Sequence, residues 1–378
     1  MNEYDAIVVG ARCAGSATAM LMARAGLRVL LLDRVHPGRD TLSTHALMRA
    51  GVLQLDRWGL LDEITAAGTP SITGTTFHYA DADEHVALNA PLYAPRRTVL
   101  DPVLLDAAVA AGVEVELGVD VTAVTRDDTG RVNGVRVRAR AGQERVVRAA
   151  LTVGADGLRS GIARAVDAHP SWQGTAAGAL VYGYWPTNHA TGYHWFYRPG
   201  GAAGVIPTND GQVCVWAGLP AAEFALRRRA GLEQVFTDVL ADVAPSAALL
   251  ATGERVGPLR GFPGTPAVLR RPVGPGWALV GDAGSFKDPL TAHGITDALR
   301  DSELLARAAI DGSPAAFADY ARTRDALTLP LLRVAEEIAA YRWDTPQVKQ
   351  LLRAESAAMK PEVAALRALD LTMMGSAA

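Results

Sequence analysis

The chain has 378 residues, a formal net charge of −3 and two cysteines, Cys13 and Cys214. That length buries a sizeable core, as two domains or one with an inserted lobe. The near-balanced charge gives no general attraction to nucleic acid or an anionic membrane. Two distant thiols build neither a disulfide framework nor a metal cluster, which fits a reducing cytoplasm. No basic region precedes the first apolar run, and no run of about 18 uncharged apolar residues occurs, so neither a signal peptide nor a membrane span is expected.

Ala6 to Val9 reads as a buried strand, Gly10 to Gly15 as a tight turn, and Gly15 to Ala25 as a helix ended by Gly26. Leu30, Leu31 and Leu32 form a second strand that ends at Asp33. This is most of a dinucleotide-binding fingerprint: the unpartnered N–H groups and positive dipole end of the helix face the turn and take a pyrophosphate, and the acidic residue takes ribose hydroxyls. Arg12 stands where the pattern has its middle glycine, so its side chain points away from the turn or reaches over the ligand as an added cation.

A polar loop follows from Pro37 to Thr44, then a helix-like stretch with apolar positions from Ala46 to Leu60. Gly74 to Leu92 alternates as strands, with Phe77 and Tyr79 on one face. Asp101 to Ala111 reads as a helix with Pro102 in its first turn. Val113 to Leu117 is a core strand. Asp128-Thr129-Gly130 and Asn133-Gly134 are turn signals within a small antiparallel meander. Leu151 to Val153 re-enters the core and leads into Gly154-Ala155-Asp156-Gly157, where Asp156 is placed to accept from backbone donors. Aromatics crowd between Trp172 and Trp216. Trp277 to Val280 is another core strand, followed by Gly281-Asp282-Ala283-Gly284, Asp288-Pro289 and His293-Gly294-Ile295-Thr296. From Thr296 the pattern is helical to about Leu371, with breaks at Pro314, Pro330 and Pro346.

Taken together, the N-terminal turn, the Asp156-Gly157 motif and the Gly281-Asp282 motif resemble the flavoprotein monooxygenases of the para-hydroxybenzoate hydroxylase fold class. That group includes the flavin-dependent halogenases and geranylgeranyl-reductase-like enzymes. Arg97-Thr98-Val99-Leu100-Asp101 matches the same group's Arg-x-x-Leu-Asp. The resemblance implies an α/β fold: a discontinuous Rossmann-like FAD-binding domain, an inserted, mostly antiparallel β-sheet substrate domain, and C-terminal helices. The expected limits are 1–167 and 271–330 for the FAD domain, with 74–100 joining the substrate sheet, then 168–270 for the substrate domain and 331–378 for the terminal helices.

By the same resemblance Arg97 binds flavin or phosphate and Val121 meets adenine through its backbone. The full cofactor set is Gly10, Arg12, Cys13, Ala14, Gly15, Asp33, Arg34, Thr44, Arg97, Val121, Asp156, Gly281, Asp282, Pro289, Gly294 and Ile295. Asp282 accepts from a ribityl hydroxyl, and the Gly294-Ile295 N–H groups stabilise charge at the flavin N1–C2 edge. His45, His293 and Lys287 are the candidate catalytic side chains. Tyr182, Trp195, Tyr197 and Trp216 are the candidate substrate pocket.

The implied activity is monooxygenation, by hydroxylation or epoxidation through a flavin C4a-hydroperoxide, of an aromatic or apolar small molecule. NADPH or NADH, or a partner flavin reductase, delivers the electrons. The alternatives are a reductase or dehydrogenase of the geranylgeranyl-reductase type and a flavin-binding protein without turnover. Halogenases of this group use an N-terminal lysine, and no lysine precedes Lys287 here.

Overall fold

The computed structural model describes residues 3–35, 38, 40–139, 142–187, 191–247, 251 and 253–375, so Pro37 and Arg39 of the polar loop expected from Pro37 to Thr44 lie outside the described residues. Strand β1 (Tyr4–Val9) turns into α1 (Cys13–Arg24) and β2 (Val29–Asp33), followed by short helices α2 (Arg49–Arg57) and α3 (Leu61–Ala66). The hairpin β3 (Ile72–His78) and β4 (Asp83–Leu92) precedes α4 (Arg97–Ala110) and β5 (Glu114–Leu117). The meander is β6 (Val119–Arg126), β7 (Val132–Ala139) and β8 (Glu144–Gly154). Next come α5 (Gly161–Ala165), β9 (Pro170–Gln173), β10 (Gly178–Pro186), β11 (Tyr193–Arg198), β12 (Gly201–Thr208) and β13 (Gln212–Pro220). Helices α6 (Ala221–Arg227) and α7 (Leu232–Val243) lead to β14 (Val256–Phe262), β15 (Val268–Arg270), β16 (Val273–Gly274), β17 (Trp277–Leu279) and β18 (Ser285–Phe286). The chain closes with α8 (Gly294–Asp311), α9 (Pro314–Ala339) and α10 (Thr345–Gly375).

Two large sheets organise these elements into the mixed α/β architecture expected. In the first, β17, β8, β1, β2 and β5 run parallel in that order. Their continuous apolar runs follow from burial on both faces of a parallel sheet. Strand β8 serves twice, pairing antiparallel with β7 at its start and parallel with β1 at its end. The second sheet has the order β14-β10-β13-β12-β11-β3-β4 and is antiparallel except where β11 meets β3. The early hairpin thus completes a sheet whose other strands lie a hundred residues downstream.

Alternation splits the second sheet into two faces. Val181, Phe196, Val205 and Val215 pack on α7 through Val235, Phe236 and Val239. Tyr182, Tyr184, Trp195, Tyr197 and Trp216 point the other way, towards Tyr341, Trp343 and α10.

Three local expectations are corrected. Helix α1 starts at Cys13 rather than Gly15. Helix α4 starts at Arg97, so Pro102 lies inside it; a buried Arg97–Asp101 pair one turn apart ties its first residues together. Pro330 likewise sits within the unbroken α9, whereas Pro314 begins α9 where a missing N–H costs nothing.

Candidate active site

Gly10 has φ +111°, and a Cβ there would lie 2.4 Å from the Ala155 carbonyl oxygen. A Cβ on Gly15 would lie 1.7 Å from the Gly10 carbonyl oxygen. Only bare backbone lets β1, α1 and the end of β8 come this close. The Asp33 carboxylate ties the turn to β2, accepting from Ala11 N–H at 2.7 Å and Val35 N–H at 2.8 Å. Exposed Arg12 reaches across to Thr41 with a 2.8 Å hydrogen bond. Arg34 is exposed beside Asp33, Thr44 is half-buried, and Val121 lies at a register shift in β6.

Asp156 follows β8 and accepts from Gly161 N–H at 2.6 Å and Ile162 N–H at 3.1 Å, holding α5 against the strand end. Gly281 packs against the turn: a Cβ on it would lie 3.0 Å from the Ala14 Cβ. Ser302 of α8 donates to the Ala14 carbonyl at 2.9 Å, which locks α1 to α8. The segments of Gly10, Asp156 and Asp282 therefore meet in one place.

Neither N-cap residue, Arg12 before α1 or His293 before α8, caps its helix with its own side chain. First-turn N–H groups have no partner within their own helix. The Arg97 guanidinium is buried here, bidentate on Asp101 at 2.6 and 2.9 Å, and feels the nearby Asp282. Cys13 borders it, yet burial pushes its thiol pKa up, so the helix N-terminus does not make it reactive. Burial and the nearby Asp297 push Asp282 up to about 6. Asp288, just before Pro289, is pushed up to about 7 by burial while accepting from Gly178 and Leu290 N–H.

Two of the three candidate catalytic side chains, Lys287 and His293, lie in a buried charged cluster. Lys287 is buried with its ammonium on Asp297. His293 places Nε2 2.8 Å from Glu362 of α10. Arg300 completes this cluster against Asp297, Asp301 and Glu362 at 2.6, 2.6 and 3.0 Å. Both side chains thus face internal carboxylates, and the buried His293 Nδ1 meets no partner among the described residues. His293, Asp297 and Glu362 have ligand atoms within 4.8 Å of one another, but a divalent ion there would have to displace Lys287 and Arg300.

His45 is placed differently. Its Nε2 lies 2.5 Å from the Tyr184 hydroxyl, and Arg96 covers the Tyr184 ring at 3.6 Å while pairing with Asp40 at 2.7 Å. Burial, reinforced by Arg96, Arg97 and Arg260, holds the His45 pKa well below the ordinary histidine range. Tyr182, Trp195, Tyr197 and Trp216 share the aromatic face beside it, all buried. Sequence reading missed Arg96, Asp40 and Tyr184. The one available signal was parity: Tyr184 lies two residues from Tyr182, on the same face of its strand.

The residues present fit FAD. The glycine cradle admits bare backbone only, the N-terminus of α1 and a buried guanidinium suit a pyrophosphate, and the start of α8 adjoins Asp282. Comparison with known proteins agrees. The FAD binding domain family matches residues 3–311, and the chain belongs to that family as an FAD-dependent oxidoreductase.

Digeranylgeranylglycerophospholipid reductase 2 of Methanopyrus kandleri is 30% identical over 318 residues, 79% of this chain and 74% of that protein. Menaquinone reductase of Mycolicibacterium smegmatis is 28% identical over 346 residues, 82% of this chain and 77% of that protein. A flavin-dependent brominase superimposes with a TM-score of 0.79 at 20% identity, covering 98% of this chain and 99% of the brominase, which establishes a shared fold. No helix among the described residues is long and apolar enough to cross a membrane.

Proposed function

We propose that the chain is an FAD-dependent reductase of an unsaturated, largely apolar small molecule. The convergence of the glycine cradle, Arg97, Asp282 and the start of α8 carries the cofactor half of this reading. Backbone around Gly10, Ala14 and Gly15 takes the pyrophosphate, with Arg12, Arg97 and the segment of Asp156 around it. Asp33 and Arg34 take the adenosine ribose, and Val121 borders adenine. Asp282 takes a ribityl hydroxyl, while Thr44, Pro289, Gly294 and Ile295 border the ring. When bound, FAD supplies two-electron transfer to or from carbon. The protein's own task is to hold the substrate and exclude water, and the aromatic face provides both.

The loop that carries His45 joins the two halves. Ser43 N–H donates to the Tyr182 hydroxyl at 3.2 Å, and Met48 N–H donates to Thr296 of α8 at 3.1 Å. The names of the two relatives above favour reduction over oxygenation. NADPH or NADH would reduce the flavin transiently, or a partner reductase would.

The second reading is monooxygenation of an aromatic substrate. The near-contact of Trp195 and Trp216, with ring centroids 6.2 Å apart, favours it, since such a surface suits a flat ring.

Photoreduced, FAD-loaded protein mixed anaerobically with a polyprenyl alcohol and with a polyprenyl quinone decides between these readings. Reoxidation of the flavin without oxygen supports reduction. Reoxidation by oxygen alone, with an oxygenated product, transfers the assignment to the second reading. Failure to retain FAD overturns both.

A further inference from the structure

His45 is held in an unusual way. Its φ of +70° is a left-handed conformation that non-glycine residues rarely adopt. The loop is pinned from three sides: Ser43 on Tyr182, Leu47 N–H on the Tyr93 carbonyl at 2.9 Å, and Met48 on Thr296. The Ser43 hydroxyl accepts the His45 N–H at 3.0 Å. The ring is buried, with Nε2 on the Tyr184 hydroxyl, and Nδ1 is buried and meets no partner among the described residues. A buried polar nitrogen left unpaired costs more than an ordinary hydrogen bond returns. Such a group, at a strained residue between the aromatic face and the start of α8, points to a ligand.

The charges around the ring decide its form. Arg96 and Arg97 at the start of α4 and Arg260 of β14 face it, with Asp40 absorbed by Arg96 and Arg260. His293 lies between carboxylates, whereas His45 lies among guanidinium groups, so its imidazole stays neutral. A phenol is the stronger donor of the pair, which favours Tyr184 O–H donating to Nε2 with the ring proton on Nδ1.

We propose that neutral His45, with its tautomer set by Tyr184, offers Nδ1–H to an oxygen of the substrate held on the aromatic face. The substrate then carries a carbonyl or hydroxyl group and is not a bare hydrocarbon. A neutral imidazole in this role is an electrophilic donor rather than a base. Tyr184 is a positioning residue. The inference rests on the reading of the aromatic face as the substrate surface.

Two measurements on FAD-loaded protein test it. In protein labelled with ¹⁵N-histidine, with Asn at position 45 (H45N) assigning the signal, His45 shows the Nδ1–H tautomer and does not titrate between pH 5 and 8. Tyr184→Phe mixes the tautomers while FAD binding persists. An Nε2–H tautomer, or titration near pH 6.5, overturns the proposal.

The second measurement compares menadione with 2-methylnaphthalene, which shares its rings but lacks its oxygens. His45→Phe weakens menadione about tenfold, equivalent to about 1.4 kcal/mol, and leaves 2-methylnaphthalene within about twofold; His45→Gln restores part of the loss. Equal changes for both ligands overturn the proposal. So does a shifted flavin absorbance in ligand-free His45→Phe, which would make the acceptor a flavin oxygen. Binding of neither ring system fells the aromatic-face reading and the ligand named here, and the tautomer result is then read separately.

Discussion

The dinucleotide cradle and the aromatic face lie side by side but are built from opposite materials. The cradle is made of backbone: Gly10, Gly15 and Gly281 work by what they lack, and the donors are peptide N–H groups at the starts of α1 and α8. The aromatic face is made of side chains, large rings from five strands and the segment between α9 and α10, filling space by volume. A backbone site binds one shape of ligand and tolerates almost no added atom. A side-chain site can be recut by substitution while the frame stands, which suits a fold that hosts many substrates on one cofactor.

This contrast makes separable predictions. Trp216→Ala empties a fully buried indole site and costs about 4 kcal/mol in denaturant unfolding. The protein that remains folded should still bind FAD with near-native affinity; lost flavin would mean that the two regions are one cooperative unit. Gly15→Ala inserts a methyl group into the Gly10 carbonyl, so about 3 kcal/mol of stability is lost and FAD binding disappears even in the folded fraction. Retained yellow colour in that variant would contradict the cradle.

Asp282→Asn is expected to split the two readouts. Because the folded protein holds the Asp282 carboxyl up at about 6, above its unfolded value near 4, the native state binds more protons in that window. Stability from this group is present below pH 4 and is lost as pH rises to about 6. In flavin-free protein the Asn variant should therefore be more stable at pH 7, by on the order of 2 kcal/mol, an advantage that vanishes below pH 4. FAD retention should fall, as measured by release of flavin fluorescence. Arg12→Ala, at an exposed side chain with one bond to Thr41, should move stability by less than about 0.5 kcal/mol and FAD affinity by only a few-fold.

The cradle was legible residue by residue. Gly10, Gly15 and Asp33 are called for by local geometry within one strand-turn-helix unit, and the Asp33 link to Ala11 N–H spans that unit alone. The surroundings of Lys287 and His293 were not legible, for the opposite reason. Both side chains look like free chemistry beside a glycine-rich motif, but their partners come from α8 and from α10, on which Glu362 lies 69 residues beyond His293. His45 and Tyr184 are 139 residues apart, and no period or spacing connects them.

What the sequence determined by itself is the class of cofactor and the order of the elements around the glycine turn, because glycine at a positive φ and a carboxylate at a strand end are requirements of the neighbouring backbone. Only the tertiary structure decided which polar side chains remain available to a substrate. That depends on long-range pairing: Asp297 and Glu362 face Lys287 and His293, while His45 is strained and lies among guanidinium groups beside the aromatic face. Burial and charge at a point in space are sums over distant segments, and no single stretch of chain carries them.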